Sequence, residues 1–421
     1  MEGSPYDQLT REELIERLKA LEASQNTAVT DRKGSSKIKA QRPFDMSKYS
    51  QQHIALKVAY LGWNYLGFAS QGNEAEVPTV EGAIFNALKT SRLIESPDKC
   101  NFSRCGRTDK GVSGLGQVVA LDVRSNPEKE IPYIETINRL LPDDVRVLAW
   151  APVPSTFNAR FNCKSRTYKY FFTKGNLDLD AMRLAANYMM GEHDFRNFCK
   201  LDPSKNITNY HRTIVSLDIR PVHGMDTSSM GQAFEFYEVE LKGTAFLWHQ
   251  VRCIMSILFL VGQKLEAPEI VQELLDISRT PSRPDYPMAS DLPLLLYDCE
   301  FEDINWIYAS DNVNVAVPSP LRTHKHFHEM WNAQMIRGLM CQTFLRSIDQ
   351  SVLKIDQDTM TLRDYMDSGM AEAKQSAACV LLGGGKEIRT ARYKRLMDRQ
   401  RADSDAVKKE KYEAKKKRKL A

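Results

Sequence analysis

The 421-residue sequence contains no run of the roughly 18–20 apolar residues that a membrane helix needs. Its longest apolar stretch, Ile254-Met-Ser-Ile-Leu-Phe-Leu-Val261, is short enough for a buried helix. The opening Met-Glu-Gly-Ser-Pro has no basic segment ahead of an apolar one, so no secretory leader is expected. Cysteine is sparse, eight residues in all. The tightest pair, Cys100 and Cys105, has no second pair to complete a zinc site, and reduced, mostly buried thiols are expected. His324-Lys-His-Phe-His328 spaces two histidines like a helical metal pair but lacks the acid of HExxH. No metal is therefore expected.

Charge is unevenly spread. The net charge is +4, but residues 386–421 carry fifteen Lys/Arg against six Asp/Glu, which is +9, leaving about −5 for the rest. A polyanion would have to be held by local patches of the core rather than by its overall field. The run Lys415-Lys-Lys-Arg-Lys419 fits a nuclear import signal, so residence in the nucleus, the cytoplasm or both is expected.

Four regions are expected. Residues 1–50 form an appendage, with an amphipathic helix over Asp7–Glu22 and a polar linker. Residues 51–160 and 161–303 each alternate strand and helix patterns, and 304–421 form an extension with a basic tail. Strand candidates are Ile54–Tyr60, Leu115–Val123, Val145–Val153, Arg166–Thr173, Thr213–Arg220 and Ala233–Leu241. Helix candidates are Thr79–Leu93, Ile131–Leu141, Asp178–Met190 and Leu247–Gly262. This order favours an α+β fold with largely antiparallel sheets and two similar halves.

The chemistry concentrates in Phe102-Ser-Arg-Cys-Gly-Arg-Thr-Asp-Lys-Gly-Val112. Asp109 stands among Arg104, Arg107 and Lys110. Nearby cations favour an ionised carboxylate, suited to act as nucleophile or base, and suit a phosphate-bearing substrate. The loop meets neither Gly-rich phosphate pattern, so nucleotide binding of those kinds is not indicated. Arg160, Lys164, Arg166 and Lys169 interleave with Phe157, Phe161, Tyr168 and Tyr170, a pattern that can hold phosphates and stack bases. Alternation puts Arg166, Tyr168 and Tyr170 on one strand face and Thr167 and Lys169 on the other.

GRTDKGV resembles the catalytic motif of the TruA family of tRNA pseudouridine synthases. Phe157–Phe161 with Ser165–Tyr170, Gly191–Phe195, and Phe246–Arg252 resemble further family motifs in the same order, and finer likeness points to the eukaryotic branch acting at tRNA uridines 38 and 39. Asn158 departs from the Asp of many bacterial members. The resemblance implies two α/β halves joined around a central basic RNA-binding cleft, usually in a homodimer. It implies an isomerase that breaks N1–C1′, turns the uracil and rejoins it through C5, with no redox step and so no cofactor. It makes Asp109 the catalytic carboxylate, Arg252 its partner, Tyr168 a packing residue at the base that could help take the C5 proton, and Arg107 an RNA contact.

Overall fold

A computed structural model describes residue 10 and residues 45–70, 77–200, 207–222, 235–309, 319–351, 378–403, 407–408, 410–411 and 414. The helix expected over Asp7–Glu22 (Thr10 apart) and the run Lys415–Lys419 lie outside these residues. The body described below falls within Met46–Ala421.

The first part of the chain builds β1 (Ser50–Tyr60), α1 (Val80–Thr90), β2 (Ser103–Arg104), β3 (Ser113–Ser125), α2 (Tyr133–Asn138) and β4 (Val145–Pro152). Helix α1 starts where expected because the Thr79 hydroxyl accepts from the Gly82 amide, satisfying one of the unpaired donors of the first turn. Ile54, Leu56 and Val58 of β1 face Ile84, Leu88, Tyr133 and Ile137 in one apolar cluster.

The next part builds β5 (Ser165–Thr173), α3 (Leu179–Asn187), β6 (Gly191–Asp194), β7 (His211–Pro221), β8 (Phe236–Gly243), α4 (Gln250–Gly262), α5 (Ile270–Leu275) and β9 (Leu294–Glu300). The Asp178 carboxylate caps α3 by accepting from the Ala181 amide. Every residue of α4 except Arg252 is buried. Each fully buried Leu, Ile or Phe side chain contributes about 1.5–3 kcal/mol, so α4 centres the second core.

All nine strands form one sheet in the order β4-β1-β3-β9-β5-β8-β7-β6, with β2 paired to β3. Every pairing is antiparallel except β3 with β9, where Ser113 and Gly114 meet Leu295 and Leu296. The expected α+β class with a largely antiparallel mixed sheet therefore holds. The strand β9, absent from the sequence reading, splices the early strands to the late ones.

Among the described residues, the extension beyond residue 303 contains a 33-residue helix, α6 (Ser319–Ser351), and a hairpin, β10 (Ala378–Gly383) with β11 (Lys386–Thr390). The hairpin is tied to the end of α4: Gln263 Nε2 donates to Cys379 O at 2.9 Å, and Leu381 N donates to Gln263 Oε1 at 2.9 Å. Val380 and Leu396 join the core around α4. His326 Nε2 donates to Asp143 O at 2.6 Å, and the His324 and His328 rings lie stacked 6.3 Å apart. No helix among the described residues is long and apolar enough to cross a membrane. All eight cysteines are free, and six are buried.

Candidate active site

Asp109 sits on the turn between β2 and β3, and the backbone around it is closely tied. Phe68 N donates to Thr108 O, Gly111 N to Tyr65 O and Val112 N to Asp109 O, at 3.1–3.2 Å. The Tyr60 hydroxyl bonds the Thr108 hydroxyl at 2.8 Å. Gly111 has φ +79, and a Cβ there would lie 2.0 Å from Asp291 Oδ2. Only glycine fits that combination of left-handed backbone and close approach. The turn is thereby held as a rigid mount for one carboxylate.

The other side of the site comes from the start of α4. His249 takes a left-handed backbone conformation, φ 63, at the N-cap, a cost accepted at a site that aims its ring. Its Nε2 lies 3.4 Å from Asp109 Oδ2. The Trp248 indole N–H donates to Asp109 Oδ1 at 3.2 Å. The two rings stack with centroids 4.3 Å apart. Burial, with the charges of Arg252, Lys200 and Arg283 beside it, pushes the His249 imidazole down to about 4, so it is neutral at physiological pH. As a neutral ring it donates one N–H, and Nε2 is the nitrogen facing the carboxylate.

Burial raises the Asp109 carboxyl above its ordinary value; the Arg252 charge and the Trp248 bond oppose it, and the charge of Asp291 adds to the rise. The cations of its own loop are expected to keep it ionised at neutral pH; burial works against them, because the side chain is three-quarters withdrawn from water while Arg107 and Lys110 point outward.

Arg252 lies close enough to lower the Asp109 carboxyl, but its ion pair is with Asp291, at 3.6 Å, and its Nε donates to Ala289 O at 2.8 Å. The expected direct pair with Asp109 is thus replaced by a shared arrangement, with one guanidinium serving two carboxylates. Asp291, Trp248 and His249 were not singled out from the sequence. Trp248 and His249 lie inside the Phe246–Arg252 motif, and Asp291 follows Ser290 in a loop with no pattern to mark it.

Tyr168 is half-buried on β5, packed edge-to-face on Phe246 with ring centroids 5.1 Å apart. Burial pushes its hydroxyl well above the usual tyrosine value, so it stays protonated at neutral pH. The expected alternation along β5 holds. Tyr170 turns into the core and donates to Ser290 O or Leu382 O, while Lys169 on the opposite face meets Glu238 and the Tyr297 ring.

The other cations divide sharply. Arg107 and Lys110 are exposed and have no ion pair among the described residues. Arg160 is exposed, its guanidinium 5.5 Å from the ring centre of the outward-facing Phe161. Arg104 is paired with the buried Glu81. Lys164 pairs with Glu302 at 3.0 Å. Arg166 donates to the carbonyls of Thr244, Cys105 and Arg160. Lys169 pairs with Glu238 and Glu240.

Comparison with known proteins bears on this geometry. A family model described as tRNA pseudouridine synthase matches residues 185–302. A Bos taurus protein named tRNA pseudouridine(38/39) synthase is 39% identical, over 95% of this chain and 87% of its own length. A Saccharomyces cerevisiae protein of the same name is 51% identical, over 64% of this chain and 62% of its own. A Thermococcus onnurineus protein named tRNA pseudouridine synthase A is 36% identical, over 60% of this chain and 86% of its own. With identity of this degree sustained across nearly the whole of both chains, the protein belongs to the TruA family of tRNA pseudouridine synthases.

Proposed function

We propose that the chain isomerises uridine to pseudouridine at positions 38 and 39 of the tRNA anticodon arm, with Asp109 as its catalytic carboxylate. One observation carries the assignment of Asp109: a single half-buried carboxylate, on a tightly tied turn, faces an indole N–H, a neutral imidazole and an arginine. Such a group can attack C1′ or remove the C2′ proton, and either route needs it ionised. Arg252 favours the ionised form, and the Trp248 N–H holds one oxygen in place while the His249 ring stands beside the other.

Tyr168 packs against the target base. Its protonated hydroxyl suits it to packing and hydrogen bonding better than to taking the C5 proton. Arg107, Lys110 and Arg160 are the cations left to meet phosphates and to hold the uridine out of its stack. We read the early and late strands as two α/β halves meeting at β3 and β9, with the RNA in a cleft above that seam. The separate apolar clusters on either side support this. A homodimer accounts for α6, which exposes Trp331, Ile336, Leu339, Met340 and Phe344. The basic run Lys415–Lys419 supports residence in the nucleus, the cytoplasm or both.

Pseudouridine mapping of unmodified tRNA incubated with the purified chain tests the reading. Pseudouridine is expected at positions 38 and 39. Its appearance only elsewhere, or nowhere, would overturn the site assignment.

A further inference from the structure

Three cysteines far apart in the sequence converge behind the Asp109 turn. Cys105 follows β2, Cys163 precedes β5 and Cys299 lies on β9. Their sulfurs all lie within 4.8 Å of one another. The residues are 2%, 8% and 6% exposed and are lined by small or apolar neighbours, Ala55, Val118, Ala120, Ala159 and Leu296. The guanidinium of Arg166 lies against the cluster, donating from Nη2 to Cys105 O at 3.1 Å.

We propose that Cys105, Cys163 and Cys299 together hold one structural zinc ion. A tetrahedral ion with Zn–S bonds of about 2.3 Å sets its sulfurs about 3.8 Å apart, under the 4.8 Å that bounds the separations here. A disulfide would use two of the three sulfurs and leave the third beside it, whereas a metal uses all three. Thiolate ligands select soft or borderline ions, which removes magnesium and calcium. Charge selects among the remainder. Three thiolates, a divalent ion and the Arg166 cation sum to zero, whereas a monovalent copper ion would leave a buried net negative charge, which is costly. On binding, three thiols lose their protons to solvent as three Zn–S bonds form, and zinc sheds all but one of its waters. The retained water would complete the tetrahedron.

The ion would join the turn carrying Asp109, the strand carrying Tyr168 and the central strand β9. It is a positioning element, and it stands whether or not the reading of positions 38 and 39 does. The pairing Cys100–Cys105, the only close spacing in the sequence, gave no hint of it.

The test is metal content of the full-length protein, freed of any tag and exchanged against a weak chelator. Wild type is expected to carry about one zinc per chain by mass spectrometry. Cys163→Ser and Cys299→Ser are each expected to fall below about a tenth of that, and Cys341→Ser, at an exposed helical position, to keep it. Should the cluster variants fail to fold, cobalt substitution of the wild-type chain decides the question. Thiolate-to-cobalt charge-transfer absorption, with the visible bands of a tetrahedral ion, is the expected spectrum. Wild type without zinc and without that absorption overturns the proposal. So does zinc undiminished in both cluster variants, or a disulfide joining two of the three sulfurs.

Discussion

Arg107 and Lys110, on the turn between β2 and β3, stand exposed without an ion pair among the described residues, whereas Lys164, Arg166 and Lys169, on β5 and the loop before it, are all engaged within the protein. Both groups looked alike in the sequence, as cations beside chemistry. Antiparallel register separates them. Lys169 faces Glu240 directly across β8 and reaches Glu238 on the same strand, so its charge is already answered. A turn has no opposite strand, and its cations are left to whatever arrives from solution. Positive charge near a site is therefore a guide to a polyanion only after the fold has taken its share.

The comparison can be broken by substitution. Arg252→Met removes the cation that opposes the raised pKa of Asp109 and leaves Asp291 only the more distant Lys386, at 4.0 Å. A loss of about 10²-fold in single-turnover rate is expected; an unchanged rate would show that the shared guanidinium is not needed. Next in size, Arg107→Ala with Lys110→Ala should weaken tRNA binding at low salt and flatten the salt dependence by about 1.5 in log–log slope, one phosphate contact each. A slope equal to wild type would remove both residues from the RNA surface. Lys169→Ala should do the reverse, leaving the slope alone while lowering unfolding free energy by about 1–2 kcal/mol, because Glu238 keeps only Arg220. Denaturant titration beside a salt series would distinguish the two classes.

The smallest effect concerns stability and pH. Burial raises the folded-state pKa of Asp109 above the unfolded value of about 3.9, so the folded chain binds that proton more tightly. Stability from this group is full below the unfolded value and is lost as pH rises through the folded one. Asp109→Asn carries no charge to bury, so it should melt higher than wild type at neutral pH, and the gain should vanish in acid below the ordinary carboxylate range. Equal melting temperatures at neutral pH would mean that the carboxylate is not held under strain.

Much of the fold was legible because its elements announce themselves locally. Thr79 and Asp178 cap helices that begin within a residue of the expected positions, and β1, β3, β4 and β5 alternate or run apolar as buried strands do. The strand β9 escaped notice because Leu294-Leu-Leu-Tyr-Asp-Cys-Glu300 follows a proline and shows no alternation. Its place in the centre of the sheet depends on partners far away in the chain. The helix α6 was hidden for a different reason. Its apolar residues are spread among exposed positions instead of forming a stripe buried against the body.

At the site, Asp109 was readable from its neighbours and from family resemblance. The roles of Trp248 and His249 were not, because an indole and an imidazole inside an apolar motif look like core. Only the left-handed backbone at His249 turns that ring toward the carboxylate, and backbone conformation of that kind has no signature at a histidine. The three converging thiols were invisible for the same reason that β9 was.

The most direct measurement compares wild type with Asp109→Asn on one unmodified tRNA, scoring both retention of the RNA and pseudouridine formed. Asp109→Asn is expected to bind the tRNA about as well as wild type, since Arg107 and Lys110 remain. It is expected to form no pseudouridine at position 38 or 39. Substantial turnover by that variant would place the chemistry on another residue.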